Sequence, residues 1–309
     1  MNADPALRGA SIPLRSWRRA RRRLALTLIG ASVAGVIAAV LVAGLILSAP
    51  AHETIGPAPP DLAVEAVNIA STSGSTLRGW FVTGRQVVLL HGVRANRLAM
   101  LRRAELLHEA GFAVLLFDFQ AHGESTGARI TFGHLEALDA QAAVAFVRQR
   151  LPQERIAAIG SSLGGAAALL GPAPLSVDAL VLESVYPEIG SAIANRVRVV
   201  LGSTLGDVVA PAIAWLFQLI LPPYLGVHPA DLRPIDHIAE VTGPVLVASG
   251  TRDNRTTIEE ARALFERART PKIFWEVAGA RHVDLEAYAP AAYRDHVLTF
   301  LIERLREAR

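Results

Sequence analysis

The chain reads as an α/β protein: a mostly parallel twisted sheet covered by helices on both faces, with a helical lid insertion and one transmembrane helix in front. Three observations predict this. From Val87 onward, short apolar runs alternate with helix-length stretches, the pattern of strands buried on both faces of a parallel sheet. One of those runs ends in Gly160-Ser161-Ser162-Leu163-Gly164, a G-x-S-x-G sequence leading into a helix-forming alanine run. Near the N-terminus, 24–47 carries no charge, in a chain whose hydrophobic content of 51% is high for a soluble protein.

Residues 1–23 form a basic tail. Arg8, Arg15, Arg18, Arg19, Arg21, Arg22 and Arg23 are opposed only by Asp4, so the net charge of +3 belongs to the tail and the remainder is slightly acidic. That balance suggests no nucleic-acid partner. The run 24–47 would make a helix about 36 Å long, enough for a hydrocarbon core of about 30 Å. Arginines precede it, and no Lys or Arg follows before Arg78. The positive-inside bias therefore predicts a single-pass cell-membrane anchor with a cytoplasmic N-terminus and an extracytoplasmic remainder. A cleaved signal peptide is the competing reading. Ala49-Pro50-Ala51 offers a small-x-small site, but the apolar region of such a peptide is normally only about 7–15 residues.

Segment 48–61, with Pro50, Pro57, Pro59 and Pro60, reads as a stiff extended linker, and 62–309 as one folded domain. Strands are expected at 64–69 and 77–81, joined through the serine-rich break 71–75, and then at 87–90, 113–117, 156–159, 179–182, 245–248 and 273–277. Helices are expected at 98–110, 134–150, 166–170, 258–268 and 291–307. Segment 186–236 breaks the rhythm and reads as the lid. Its helical piece 212–221, fenced by Pro211 and Pro222-Pro223, is too short to span a bilayer; ordinary core and a membrane-surface contact are the alternatives for it.

Catalytic groups in such a sheet collect beyond the C-terminal strand ends. Ser162 follows one strand, Asp253 another and His282 the last; serine, acid, histidine is the chain order of a hydrolase built on this architecture. The glycines around Ser162 suit a turn so tight that a Cβ would collide with its neighbours. A serine hydroxyl needs a neighbouring imidazole to take its proton, and that imidazole needs a carboxylate to orient it. Glu183 is the rival acid, His296 and His237 the rival bases, and Ser161 the wrong-position neighbour. His91 and His122 read as structural groups that hydrogen-bond loops near the mouth. Asn96 and Arg97 read as loop and helix-start residues, and Arg94 is a candidate contact for an anionic substrate.

With His91-Gly92 after one strand and Asp118-Phe119-Gln120-Ala121-His122-Gly123-Glu124-Ser125 after the next, residues 62–309 resemble the α/β-hydrolase superfamily. More narrowly they resemble its membrane-anchored serine hydrolases, near the serine aminopeptidase and esterase-like branch. The resemblance implies Ser162 as nucleophile, His282 as base, Asp253 as orienting acid, and an oxyanion hole from the backbone N–H groups of Val93 and Leu163. Gln120 and Ala121 depart from the commoner Arg and Gly of that loop.

No cysteine is present, which excludes disulfides, thiolate zinc sites and a cysteine nucleophile. The histidines lack H-x-x-x-H spacing, and 160–165 is neither a dinucleotide fingerprint nor a P-loop, so no metal and no cofactor is expected. The expected activity is hydrolysis of an acyl bond, foremost a carboxylic ester, in a small-molecule or lipid-like substrate. A serine peptidase is the alternative, with Glu188, Asp207 and Asp231 as candidate amine-binding acids in the lid; a non-catalytic binding protein on the same fold is the other.

Overall fold

The computed structural model describes residues 14–60, 62–83, 85–269 and 271–306; residues 1–13, including Arg8 of the basic tail, lie outside it. In chain order the elements are α1 (Leu14–Ser48), β1 (Ala51–His52), β2 (Val64–Ala70), β3 (Thr76–Val82), β4 (Arg85–Leu90), α2 (Leu101–Glu109), β5 (Phe112–Phe117) and β6 (His122–Gly123). There follow α3 (His134–Arg150), β7 (Ile156–Ser161), α4 (Leu163–Leu169), β8 (Ala179–Glu183), α5 (Ile189–Leu225) and α6 (Pro234–His237). The chain closes with β9 (Val245–Gly250), α7 (Ile258–Arg267), β10 (Lys272–Val277), α8 (Leu285–Tyr288), α9 (Pro290–Tyr293) and α10 (Thr299–Arg306).

Among the described residues eight strands form one sheet in the order β10-β9-β8-β7-β4-β5-β3-β2. All neighbours run parallel except the hairpin β2–β3 and its junction to β5, which are antiparallel. Strands β5, β8 and β9 are buried along their whole length, as expected of a parallel sheet with helices on both faces. Side chains alternate across the sheet. Val87, Leu89, Val114 and Leu116 join Leu107 from α2, Phe300 and Leu301 from α10, and Met100 just ahead of α2 in one apolar cluster. Val88, Leu90 and Leu115, the intervening residues, are equally buried, and α3 and α4 pack on the sheet with them.

By its contacts the chain divides into Met1–Ala43 and Gly44–Arg309. The first unit is the apolar helix α1 up to Ala43. The second takes in the last turn of that helix and the proline-rich segment read as a linker. Its residues Ala51 and His52 are extended, and an extended chain can pair. Strand β1 runs parallel to β6, the Ala51 N–H donates to the Ala121 carbonyl (2.8 Å), and the Glu53 N–H to that of Gly123 (3.0 Å). Ile55 and Ala58 pack against the core cluster.

Two helices differ from expectation. The helix expected at 212–221 is much longer, α5 (Ile189–Leu225). It runs through Pro211, Pro222 and Pro223 and is broken instead at Gly202 (φ 75°, ψ 167°). Each proline removes one intrahelical bond, yet Ala210, Ala214, Phe217 and Leu221 form a buried stripe that holds the run together. A Cβ built on Gly206 would stand 2.7 Å from Arg198 Cα, so the two arms approach closely beside the break. The expected helix 291–307 is likewise divided: α9 starts at Pro290, a wide π turn covers Arg294–Leu298, and α10 follows.

Candidate active site

The turn after β7 has the strain its sequence implies. Ser162 sits at φ 50°, ψ −109°, a conformation L-residues rarely adopt, and its N–H donates to the Glu183 carbonyl (2.8 Å). The three glycines are sterically required: added Cβ atoms would lie 2.5 Å from Gly165 Cα at position 160, 2.2 Å from Leu90 O at 164, and 2.2 Å from Val185 Cγ2 at 165. The serine therefore stands beyond the strand end, with the first turn of α4 behind it, where N–H groups lack intrahelical acceptors.

Asp253 and His282 come together at the same edge. They follow β9 and β10, whose adjacent C-terminal ends meet closely: the Arg252 N–H donates to Ala280 O (2.9 Å), and a Cβ on Gly250 would strike that carbonyl at 2.3 Å. His282 Nδ1 lies 2.8 Å from Asp253 Oδ2. The other carboxylate oxygen accepts the N–H groups of Arg255 and Thr256, both at 2.9 Å. Burial pushes the Asp253 pKa up, but the hydrogen bond and charge of His282, with the two backbone donors, outweigh it and leave the carboxyl below its usual value. Nδ1 is thereby the protonated nitrogen and Nε2 is free to act as a base. Among the described residues Ser162 Oγ has no hydrogen bond to the imidazole in this conformation; triads commonly tighten that contact only around substrate.

The rival groups are engaged elsewhere. Glu183 is buried in an ion pair with Arg103 (2.6 Å) and accepts the Tyr293 hydroxyl (2.6 Å). His296 stacks on Trp275, and His237 lies 3.5 Å from Glu240. Asn96 caps the short helical turn that begins at Arg97, and Arg97 pairs with the buried Asp118.

Two buried histidines hold the loops. His91 Nε2 accepts the Phe119 N–H (3.0 Å) while Nδ1 faces Gly92 O (2.8 Å); burial, then the charge of His122, drives its pKa down to about 3. His122 Nε2 accepts the Arg94 N–H (3.0 Å) and Nδ1 faces Gln120 O (2.8 Å); burial foremost lowers its pKa as well. Both are neutral rings that shape Gly92-Val93-Arg94, where Arg94 adopts φ 56°. In the neighbouring loop, Gly123 at φ 47° leaves no room for a Cβ against the Asp118 carboxylate. The departures at 120 and 121 are accommodated. Gln120 Nε2 donates to Glu136 Oε1 (2.8 Å), and Ala121 takes φ 57° at a place where glycine would be unstrained.

A narrow cavity of about 40 Å³ opens on Ser162, Val93 and Leu163. Its walls are apolar: Leu47, Phe132, Ile189, Ala192, Ile193 and Phe217, together with Tyr186. Arg196 is the exception and was not visible as a site residue in the sequence, since nothing distinguishes one arginine on an apolar helix. Among the described residues its guanidinium donates to the Ala192 carbonyl of its own helix (2.8 Å) and forms no ion pair, although the charges of Asp253 and Glu260 act on it. Arg94, the arginine expected near an anion, instead donates to Ile46 O (3.0 Å) and Ala49 O (3.1 Å). Of the acids weighed for amine binding, Glu188 pairs with Arg233, Asp207 with Arg198 (2.9 Å), and Asp231 accepts the His228 N–H (3.2 Å); none of them lines this cavity.

This sheet order, with a strained serine elbow and a histidine–aspartate pair past later strands, is the α/β-hydrolase fold. A family model described as "Serine aminopeptidase, S33" matches residues 83–216. The esterase Pf2001 of Pyrococcus furiosus superposes with a TM-score of 0.69 at 26% identity, covering 84% of this chain and 98% of that one. An uncharacterized protein of Mycobacterium tuberculosis is 29% identical over 264 residues, 82% of this chain and 83% of its own. The Arabidopsis thaliana alpha/beta hydrolase domain-containing protein WAV2 is 29% identical over 271 residues, 82% of this chain and 84% of its own. The chain is thus similar to hydrolases of the esterase-like kind.

Proposed function

We propose that the protein is a membrane-anchored serine hydrolase that cleaves a carboxylic ester through an acyl-enzyme. Ser162 Oγ attacks the carbonyl carbon as His282 Nε2 takes the hydroxyl proton. Asp253 holds the imidazole and stabilises its cation, while the N–H groups of Val93 and Leu163 receive the developing oxyanion. Collapse of the tetrahedral adduct breaks the ester C–O bond, and the leaving alkoxide takes the proton from His282. Water then repeats the sequence on the acyl-serine, releasing the acid and restoring the hydroxyl.

The observation that carries this reading is the 2.8 Å Asp253–His282 pair at the sheet edge where Ser162 stands on its strained turn. Ester rather than amino-terminal peptide cleavage is favoured by charge: recognition of a free amine asks for a carboxylate, whereas the cavity presents Arg196. The uncharged run of α1 supports the anchor, with the basic tail inside the cell and the hydrolase body outside.

The test uses the full chain in detergent, with p-nitrophenyl esters of increasing length beside amino-acid anilides. Ester turnover lost in Ser162→Ala is the expected result. Anilide turnover in preference to ester would transfer the assignment to a peptidase, and inertness of the folded protein toward both would remove the enzymatic reading.

A further inference from the structure

We propose that the last turn of α1 is part of the active site. Leu47 is a wall of the acyl pocket that helps set acyl-chain selectivity, and Arg94 is a positioning residue that ties the oxyanion loop to that turn. The proposal rests on the serine-hydrolase reading above.

Residues 44–48 belong to the catalytic body, and Leu47 lines the same cavity as Ser162, Val93 and Leu163. The turn is fixed there by several contacts. Ser48 is buried, its carbonyl accepts the Ile130 N–H (2.8 Å), and its hydroxyl donates to Gly44 O (2.7 Å). A Cβ on Gly44 would meet Phe217, another wall residue, at 3.5 Å. The closing carbonyls of a helix lack intrahelical donors and carry partial negative charge. Arg94 supplies both needs by donating to the carbonyls of Ile46 and Ala49. The N–H of the same residue is held by His122, and the residue before it is Val93. One side chain therefore grips the helix end while its backbone sets the neighbouring peptide that faces the reacting carbonyl.

Leu47 also closes the uncharged run 24–47. With that run in hydrocarbon, the pocket wall begins where the bilayer ends. The substrate class this favours is an apolar acyl ester that partitions into the membrane.

The experiment uses the full chain in detergent, labelled with a small fluorophosphonate and assayed on p-nitrophenyl acetate, butyrate and octanoate. Leu47→Trp should reduce kcat/KM for octanoate roughly tenfold or more relative to acetate, and Leu47→Ala should move the optimum toward longer chains. Leu41→Ala, six residues earlier on the same helix and exposed, should keep the wild-type profile. Arg94→Gln should lower kcat more than it raises KM at an unchanged melting temperature, with Arg94→Lys partly restoring kcat. Absence of labelling and turnover in the wild-type chain would defeat the hydrolase reading itself. Labelling and turnover with an unchanged chain-length profile in both Leu47 variants would overturn the pocket-wall assignment alone. If Leu47→Trp fails to fold, the Leu47→Ala profile decides.

Discussion

At the residue scale, one carboxylate and one cation separate this site from its alternatives. Asp253 holds its charge despite burial because three donors converge on it. Asp253→Asn should therefore keep the fold but present the wrong histidine tautomer, lowering kcat roughly 10⁴-fold in ester hydrolysis. Among the described residues Arg196 forms no ion pair, and burial of its cation outweighs the attraction of Asp253 and Glu260, so Arg196→Met should leave the urea midpoint unchanged or raised. The same variant should cost about tenfold in kcat/KM for a dicarboxylic half-ester relative to a neutral ester of the same length. The elbow glycines behave oppositely. Gly164→Ala places a methyl group 2.2 Å from the Leu90 carbonyl. It should destabilise the protein by about 3 kcal/mol by chemical denaturation, an effect of overpacking independent of catalysis.

At the element scale, the loops after β4 and β5 carry the pH dependence of stability. His91 is buried neutral with a pKa near 3, against about 6.5 in an unfolded chain, so acidification below about 6.5 protonates the unfolded state first and stability falls. Asp139 has the opposite sign. Burial raises its pKa to about 6, so between about 6 and 4 the folded state binds the extra proton and stability is gained. Asp139→Asn should therefore steepen the loss of urea midpoint between pH 6 and 4; an unchanged slope would contradict this assignment. Much at this scale was legible in the sequence. Each expected strand is present because wholly apolar runs such as 113–117 leave a buried strand as the economical reading, and the elbow declared itself by glycines that no other residue could replace. What escaped was set by tertiary contact. Helix α5 runs through its prolines because a buried stripe overrides them, and Ala51 to Glu53 pair with β6 through backbone groups that leave no periodic trace.

At the scale of the whole molecule, the apolar helix α1 runs on into the unit that holds Ser162, since its last turn lies within Gly44–Arg309. Among the described residues two helices, Trp17–Ser48 and Ile189–Leu225, are long and apolar enough to cross a bilayer, but the second is interrupted at Gly202 and contributes its buried stripe and cavity wall to the body. The reading of α1 as an uncleaved anchor predicts that protein extracted from membranes keeps residues 24–47 by intact mass. A mature chain beginning at His52 would contradict it, and would also lack Leu47 and the carbonyls that Arg94 holds.

The central claim is that Ser162, and not its neighbour Ser161, is the nucleophile presented to His282. Its most direct test is peptide mass spectrometry of the full chain after reaction with a fluorophosphonate, with fragmentation to locate the adduct. The account predicts a single adduct on Ser162 that forms slowly or not at all in His282→Gln. An adduct on another serine, or labelling indifferent to His282, would contradict it.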